Sequence, residues 1–538
     1  METKANSSIE NPGIFGNKQH RPLLSLILLL LSLAGGIFYQ QLFHNQDIGI
    51  NLLLFNAFII LVQIFLIKVP LRTFPLILIY AGTLISAVTA VLHNNLFSIW
   101  VNLGSLILLI SLPFYPEVKS LKNALLCSLE KTIGFYRVFR NIKTNISLSK
   151  GAGKTFKILR LIFIPIIILI VFVTIYYNAN PYFASGFDKV AWWIQPLWHR
   201  FINWFANLPG IWMFIWGLFV CIMMFFPMPS SAFARRDSLE TDFLERTRKK
   251  SFRLFSGMNT GLKREYLSSL FLMAALNVLI LILNLTDFFN VWLFFEWDGH
   301  TLKQFVHEGT WLLVVSIFIS MAISLYIFRG NLNFYSKNQY LRLLTKIWIY
   351  QNLFMTLSVC FRNYWYWYYF NLAYLRIGVF FFLIAVIIGL ITIILKIKHK
   401  HSSSWLLKTN AIAIYVIFCV ICLFNWDTII STTNFNRSEK AYLHRDFLLS
   451  MPNSTLPILW ENKDKLNVPM YSESELLIYI YKEFDTVYED DNYITLLERK
   501  TINFKQKMDN RSWKEWNLAD YQAYKRLEKK AWYGLNLK

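Results

Sequence analysis

Eleven runs of apolar residues, each eighteen to twenty-one long, fix what this chain can become: Leu23–Phe43, Ile50–Ile67, Pro75–Leu92, Leu96–Pro113, Leu159–Tyr177, Ile211–Met228, Tyr266–Thr286, Thr310–Phe328, Leu343–Phe361, Ile377–Leu395 and Leu406–Phe424. About 20 residues at roughly 1.5 Å rise cross the hydrocarbon of a bilayer. Lipid offers no hydrogen bonds, so such segments must be helices or a closed barrel. No period-two alternation is present, which excludes the barrel. The expected fold is an all-α, polytopic transmembrane helical bundle of about 11 helices. Composition agrees, with 16% charged residues against about 25% in a soluble domain. The first run has a basic flank, Lys18 and Arg21, as a secretory leader would. Its exit, Tyr39-Gln40-Gln41-Leu42, has no small-residue cleavage site, so it is expected to remain as a helix.

The net charge of +22 suits either a nucleic-acid binder or a membrane protein with one-sided loops. The distribution decides between them. With the N-terminus inside, the inner segments carry 32 Lys and Arg, the outer loops only Lys189, Arg200, Lys303, Arg362 and Arg376, and the residues after Phe424 carry 17. Those last 17 are balanced by 17 acidic residues. Alternation without a violation predicts a multi-pass membrane protein with a cytoplasmic N-terminus and an extracytoplasmic C-terminus. It removes the case for nucleic acid.

Three regions follow: a cytoplasmic segment 1–22; a transmembrane domain 23–424, with basic cytoplasmic connections 114–158 and 229–264; and a small, mainly helical extracytoplasmic C-terminal domain, 425–538. In the first basic connection Leu125, Leu126, Leu129, Ile133 and Tyr136 form one stripe, with Lys122, Lys131, Arg137 and Arg140 elsewhere. That pattern predicts a helix on anionic inner-leaflet lipids, so the bilayer and those lipids are the expected partners, a protein partner being possible. In the tail, helices are expected over Ser438–Ser450, Ser454–Asn462, Ser472–Phe484 and Ser512–Trp532, with Tyr488–Thr501 readable as helix or strand. Outside, Asn178–Pro209 holds Trp192, Trp193, Trp198 and Trp204, and Arg362–Arg376 is almost wholly aromatic; both read as interfacial belts, the second alternatively as a stacking platform.

Few motifs carry chemistry. Gly151-Ala152-Gly153-Lys154-Thr155 lacks the first glycine of a P-loop, Leu148 standing there, and no strand precedes it. Cys419 and Cys422 lie inside an apolar run, where two small residues a turn apart are ordinary packing. The outer connection between the seventh and eighth runs holds Asp287, Glu296, Asp298, His300, His307 and Glu308, without tight metal-ligand spacing. Hence no catalytic, cofactor-binding or metal site is assigned and no cofactor is expected. His300, His307, Glu308, Arg362, Arg376 and Trp193 form a candidate outer-face site, with Glu296 or Glu308 the expected partner of Arg362 or Arg376. Asn277, Asn284, Gln351 and Asn352 are the candidate intramembrane polar residues, with bonding between helices as their default role.

Several stretches carry a likeness: Asn180-Pro181-Tyr182-Phe183, Phe305-Val306-His307-Glu308-Gly309, Gln351-Asn352 followed by Arg362, Phe370-Asn371-Leu372-Ala373-Tyr374-Leu375-Arg376, Asn425-Trp426-Asp427 with Asn434-Phe435-Asn436, and Ser512-Trp513-Lys514-Glu515-Trp516-Asn517-Leu518. In order and spacing the chain resembles a family of polytopic bacterial inner-membrane proteins catalogued only as a domain of unknown function. The family pattern before the arginine usually reads Tyr-Gly-Leu-Thr; here Phe370, Asn371 and Ala373 depart from it while Leu372 and Arg376 fit. The likeness implies a bacterial membrane location and no activity. By elimination, a binding or regulatory envelope protein is favoured, with more reason against an enzyme than for one. The alternatives are a transporter or lipid-handling permease, and a membrane-embedded enzyme with a His/carboxylate site on the outer face.

Overall fold

A computed structural model describes residues 21–146, 209–228, 230–246, 262–294, 310–328, 330–467 and 493–529, with a few isolated positions between 147 and 208. Among them the chain is helical throughout, and only a lone bridge pairs Phe243 with His401. In chain order the helices are α1 (Arg21–Phe43), α2 (Ile50–Leu61), α3 (Phe74–His93), α4 (Leu96–Leu109), α5 (Leu121–Ile133), α6 (Phe135–Ile146), α7 (Pro209–Phe225), α8 (Ala232–Leu239), α9 (Leu262–Asp287), α10 (Thr310–Ile327), α11 (Gln339–Phe370), α12 (Tyr374–His399), α13 (Ser403–Cys422), α14 (Trp426–Asn436), α15 (Arg445–Ser450), α16 (Leu456–Glu461), α17 (Lys463–Asn467), α18 (Tyr493–Asp509) and α19 (Leu518–Lys529). Among the described residues six segments are long and apolar enough to cross a membrane: Leu23–Phe43, Phe74–His93, Leu96–Phe114, Leu262–Leu293, Tyr374–His399 and Ser403–Cys422. Ile50–Leu66, Pro209–Phe225 and Trp311–Ile327 are apolar but shorter. Of the eleven runs in the sequence, Leu159–Tyr177 lies outside the described helices, and Leu343–Phe361 sits in the more polar α11. The chain is an integral membrane protein.

It divides into two compact units, each described by itself: Met1–Leu71 with Ser128–Ser231, and Arg72–Cys127 with Ala232–Lys538. In the first, α1 packs on α7 through small residues. A Cβ at Gly35 would meet the Cys221 sulfur, one at Gly36 the backbone of Leu218, and one at Gly217 the ring of Tyr39. Lipid tails supply no hydrophobic drive between helices, so this close van der Waals approach is what holds them. Gln63 Nε2 donates to the Met224 carbonyl at 3.0 Å.

The apolar stripe of α5 is solvent-side in the fold, with Leu125, Leu129 and Ile133 exposed, as a lipid-facing stripe would be. Ala124, Cys127, Ser128 and Lys131 are buried instead. Lys131 thus departs from the polar-face role expected of it. Burial pulls its ammonium well below the usual lysine range.

In the second unit, local chemistry sets the turns. Asn94 takes a left-handed conformation (φ 50°) and ends α3; Asn95 then caps α4 by accepting from the Phe97 N–H at 2.8 Å. Ser402 and Asn425 cap α13 and α14 in the same way. Tyr415 on α13 joins α3 and α4: its hydroxyl lies 2.7 Å from Ser105 Oγ, and its ring fills the space over Gly82. A side chain at Gly82 would overpack this joint, at about 1–3 kcal/mol. One core runs between α9, α10, α11, α12 and α13, including Met273, Ile317, Trp348, Met355 and Leu390.

A second core joins α12 to the tail, around Ile377, Ile430, Leu448, Leu456, Leu497 and Phe504. The ambiguous stretch Tyr488–Thr501 is helical from Tyr493 onward. Ser512 caps only a 3₁₀ turn, and α19 begins later, where Asn517 Oδ1 accepts from the Asp520 N–H at 2.9 Å. The expected helix Ser472–Phe484 lies outside the described residues.

Candidate functional site

The face that α9 turns toward α11 is polar. Asn277, Asn284 and Asp287 recur at spacings of seven and three, which a helix stacks on one side. Asn277 Nδ2 donates to the Leu344 carbonyl at 3.1 Å, and its Oδ1 accepts from Gln351 Nε2 at 3.0 Å. Asn284 Nδ2 donates to the Gln351 carbonyl at 3.0 Å. These three amides therefore bond between helices, as expected. Asn352 does not: its amide turns back to the Trp348 carbonyl of its own helix at 2.7 Å. Asn284 Oδ1, Gln351 Oε1 and Asn352 Oδ1 are buried with no hydrogen-bond partner among the described residues.

This seam ends in a buried ion pair. Arg362 Nη2 donates to Asp287 Oδ1 at 2.6 Å, with both side chains 6% exposed. Ser358 Oγ donates to the other carboxylate oxygen at 2.7 Å, and Trp292 Nε1 lies 3.4 Å from that hydroxyl. Trp292 stacks on Phe354, ring centroids 4.8 Å apart. Asp287 is thus a partner of Arg362 among the described residues; Glu296 and Glu308, expected for the role, lie outside them.

Arg376 closes the turn between α11 and α12. It donates to the carbonyls of Phe370, at 2.6 Å, and of Asn371, and lies 4.3 Å from the centroid of Tyr366. Its own carbonyl accepts from Asn363 Nδ2 of α11 at 3.0 Å, so it ties the turn to the helix that precedes it. The aromatic stretch read as an outer loop is the last two turns of α11, since nothing between Gln339 and Phe370 breaks a helix. Arg437 of the tail lies 5.2 Å from the ring centroids of both Trp367 and Tyr368, so a tail cation already occupies part of this surface.

The tail is fastened to the ends of α3, α11 and α12. Asn434 pairs with both backbone groups of Leu372, accepting from its N–H at 2.8 Å and donating to its carbonyl at 3.0 Å. Asn371 Nδ2 donates to the Tyr442 carbonyl at 3.0 Å, and the Tyr442 N–H to the Tyr369 carbonyl at 2.9 Å. The Tyr374 hydroxyl donates to Asp427. Asn94 Nδ2 donates to Asp520 Oδ2 at 3.1 Å, where Arg511 Nη1 also lies at 3.0 Å. Burial pushes the Asp427 carboxyl above the usual carboxylate range; the Tyr374 bond and His93 pull it back, and Asp520 adds to the rise. None of these tail contacts was foreseen from the sequence, because each joins residues far apart in it.

The described part of the tail holds cavities. One, of about 240 Å³, is lined by residues that include Asn425, Thr428, Ser454, Gln522 and Arg526. Another, of about 350 Å³, lies along α18. Trp193, His300, His307 and Glu308 lie outside the described residues. Among the described residues no three His, Cys, Asp or Glu side chains cluster as a metal site requires.

A family model described as a domain of unknown function (DUF4153) matches residues 23–461. Neither the curated proteins nor the solved structures contain a match.

Proposed function

We propose that this chain, which belongs to the DUF4153 family of unknown function, is a binding and regulatory protein of the bacterial cytoplasmic membrane. Its C-terminal segment receives a ligand or envelope partner outside and passes the effect to the membrane helices. One observation carries this reading: the tail bonds through backbone groups to the last turn of α11 and to the turn that leads into α12, and shares a core with α12. A displacement of α14 therefore shifts Leu372 and the start of α12, not a slack linker. The exposed leucines of α5 support its contact with the inner leaflet, and the basic inner segments support its attraction to anionic lipids there.

Orientation is tested by cysteines placed at Gln506, exposed on α18, and at Ser238, exposed on α8. A membrane-impermeant maleimide labels residue 506 and spares residue 238 in intact cells; the reverse pattern ends the reading. Coupling is tested by Asn434→Ala in lipid nanodiscs. Amide exchange in the first two turns of α12 is expected to rise about tenfold or more, because two hydrogen bonds to Leu372 are lost. Unchanged exchange there would mean that the tail does not act on the bundle.

A transporter is the second reading. The unpartnered carbonyl oxygens of Asn284, Gln351 and Asn352 favour it, since a polar or cationic solute would satisfy them. Selective solute uptake by proteoliposomes, lost in Asn284→Leu, would replace the first reading with this one.

A further inference from the structure

We propose that the cleft along α18 binds a phosphate group. Leu496, Arg499, Lys500, Asn503, Phe504 and Lys507 line it from one face of α18, and Asn453 closes it from the facing turn. Their spacing of three and four is the stripe a helix usually buries. Here that stripe brings three cations and two amides into one cavity of about 350 Å³, without a carboxylate among its lining residues. The tail as a whole has as many acidic as basic residues, so this excess is local.

Lys500 is fixed in place. Its Nζ donates to the Leu449 carbonyl at 2.7 Å and to that of Met451, and an ammonium carries a third N–H. Burial pulls its pKa down to about 8, so an anion beside it would restore the charge that desolvation opposes. Arg499 adds a planar donor fork and Lys507 a second ammonium, and the amides of Asn453 and Asn503 add neutral donors. A tetrahedral, multiply charged oxyanion uses all of these at once, and a monovalent carboxylate uses fewer. Leu496 and Phe504 form an apolar floor for whatever carries the phosphate. A free anion and an outer-leaflet lipid headgroup present the same phosphate chemistry to the cleft.

This inference rests on the ligand-receiving half of the function proposed above and does not need the coupling half. The test uses the full-length protein in nanodiscs of zwitterionic lipid, with inorganic phosphate as the probe and chloride at matched ionic strength as control. Phosphate is expected to raise the thermal midpoint of the wild type in a saturable way. The double variant Arg499→Gln/Lys507→Gln is expected to bind it at least about tenfold more weakly. Both positions are exposed and Lys500 keeps its structural bonds; the midpoint of the variant in chloride is the baseline from which its phosphate response is read. In nanodiscs containing phosphatidylglycerol the two sources separate. Loss of the phosphate response there, with a raised midpoint before phosphate is added, identifies the headgroup; a persisting response identifies the free anion. Equal responses in wild type and double variant, or no response to either source, overturn the site. Exchange in the first turns of α12, read in the same samples, separates this proposal from coupling: phosphate binding with α12 unchanged keeps the site and removes the coupling.

Discussion

Arg362→Met is expected to destabilise the protein by about 3–5 kcal/mol, because it strands a buried aspartate without its cation. Asp287 and Arg362 are each 6% exposed, and Ser358 completes the carboxylate's hydrogen bonds. Asp287→Leu strands the guanidinium and should cost a similar amount. The double variant Asp287→Leu/Arg362→Met removes both charges, and most of the loss should return, since a buried pair is worth little against an apolar pair of like volume. The measurement is reversible unfolding in mixed micelles, analysed as a double-mutant cycle. Additive losses would show that the two charges do not meet. A swap, Asp287→Arg/Arg362→Asp, should recover less, because Ser358 and Trp292 are placed for the native order.

The second large effect is expected at Asn371. Its backbone has φ 61° and ψ −174°, a region that is essentially glycine's alone and costs other residues about 1–3 kcal/mol. Here the amide offsets the strain by bonding the Tyr442 carbonyl at 3.0 Å and lying 3.4 Å from that of Ala441. Asn371→Ala keeps the strain and leaves those buried carbonyls short of a donor, so a loss of about 2–4 kcal/mol is expected. Asn371→Gly relieves the strain while losing the same bonds, and should cost about 1 kcal/mol or less. Thermal midpoints of the two variants decide it: an alanine variant as stable as the glycine one would show that the turn does not hold this conformation in solution.

Much of the fold was legible because membrane helices announce themselves through length and apolarity alone. The interhelical role of Asn277, Asn284 and Gln351 followed from their isolation in apolar runs, whereas the capping asparagines Asn95 and Asn425 were not picked out. What escaped has identifiable causes. Asp287 read as the start of a loop, since nothing in Phe288-Phe289-Asn290-Val291-Trp292 signals the π-helical continuation that follows. The aromatic end of α11 read as a loop because its residues are those of an interface, although no glycine or proline interrupts the helix. Lys131 read as a surface charge because its helix was oriented by its leucines, which face outward. The α18 cleft was invisible because Asn453 and the carbonyls that hold Lys500 come from some fifty residues upstream.

At the joint between tail and bundle, most of the bonds run from a side chain to a main-chain atom. Asn434 reads the peptide of Leu372, Asn371 reads that of Tyr442, Arg376 reads those of Phe370 and Asn371, and Arg437 reads that of Tyr368. A peptide group persists through almost any replacement of the residue that bears it. The joint therefore divides its positions into a few readers that evolution must keep and many hosts that are free to drift. Two such proteins could differ at most tail positions and still close in the same register.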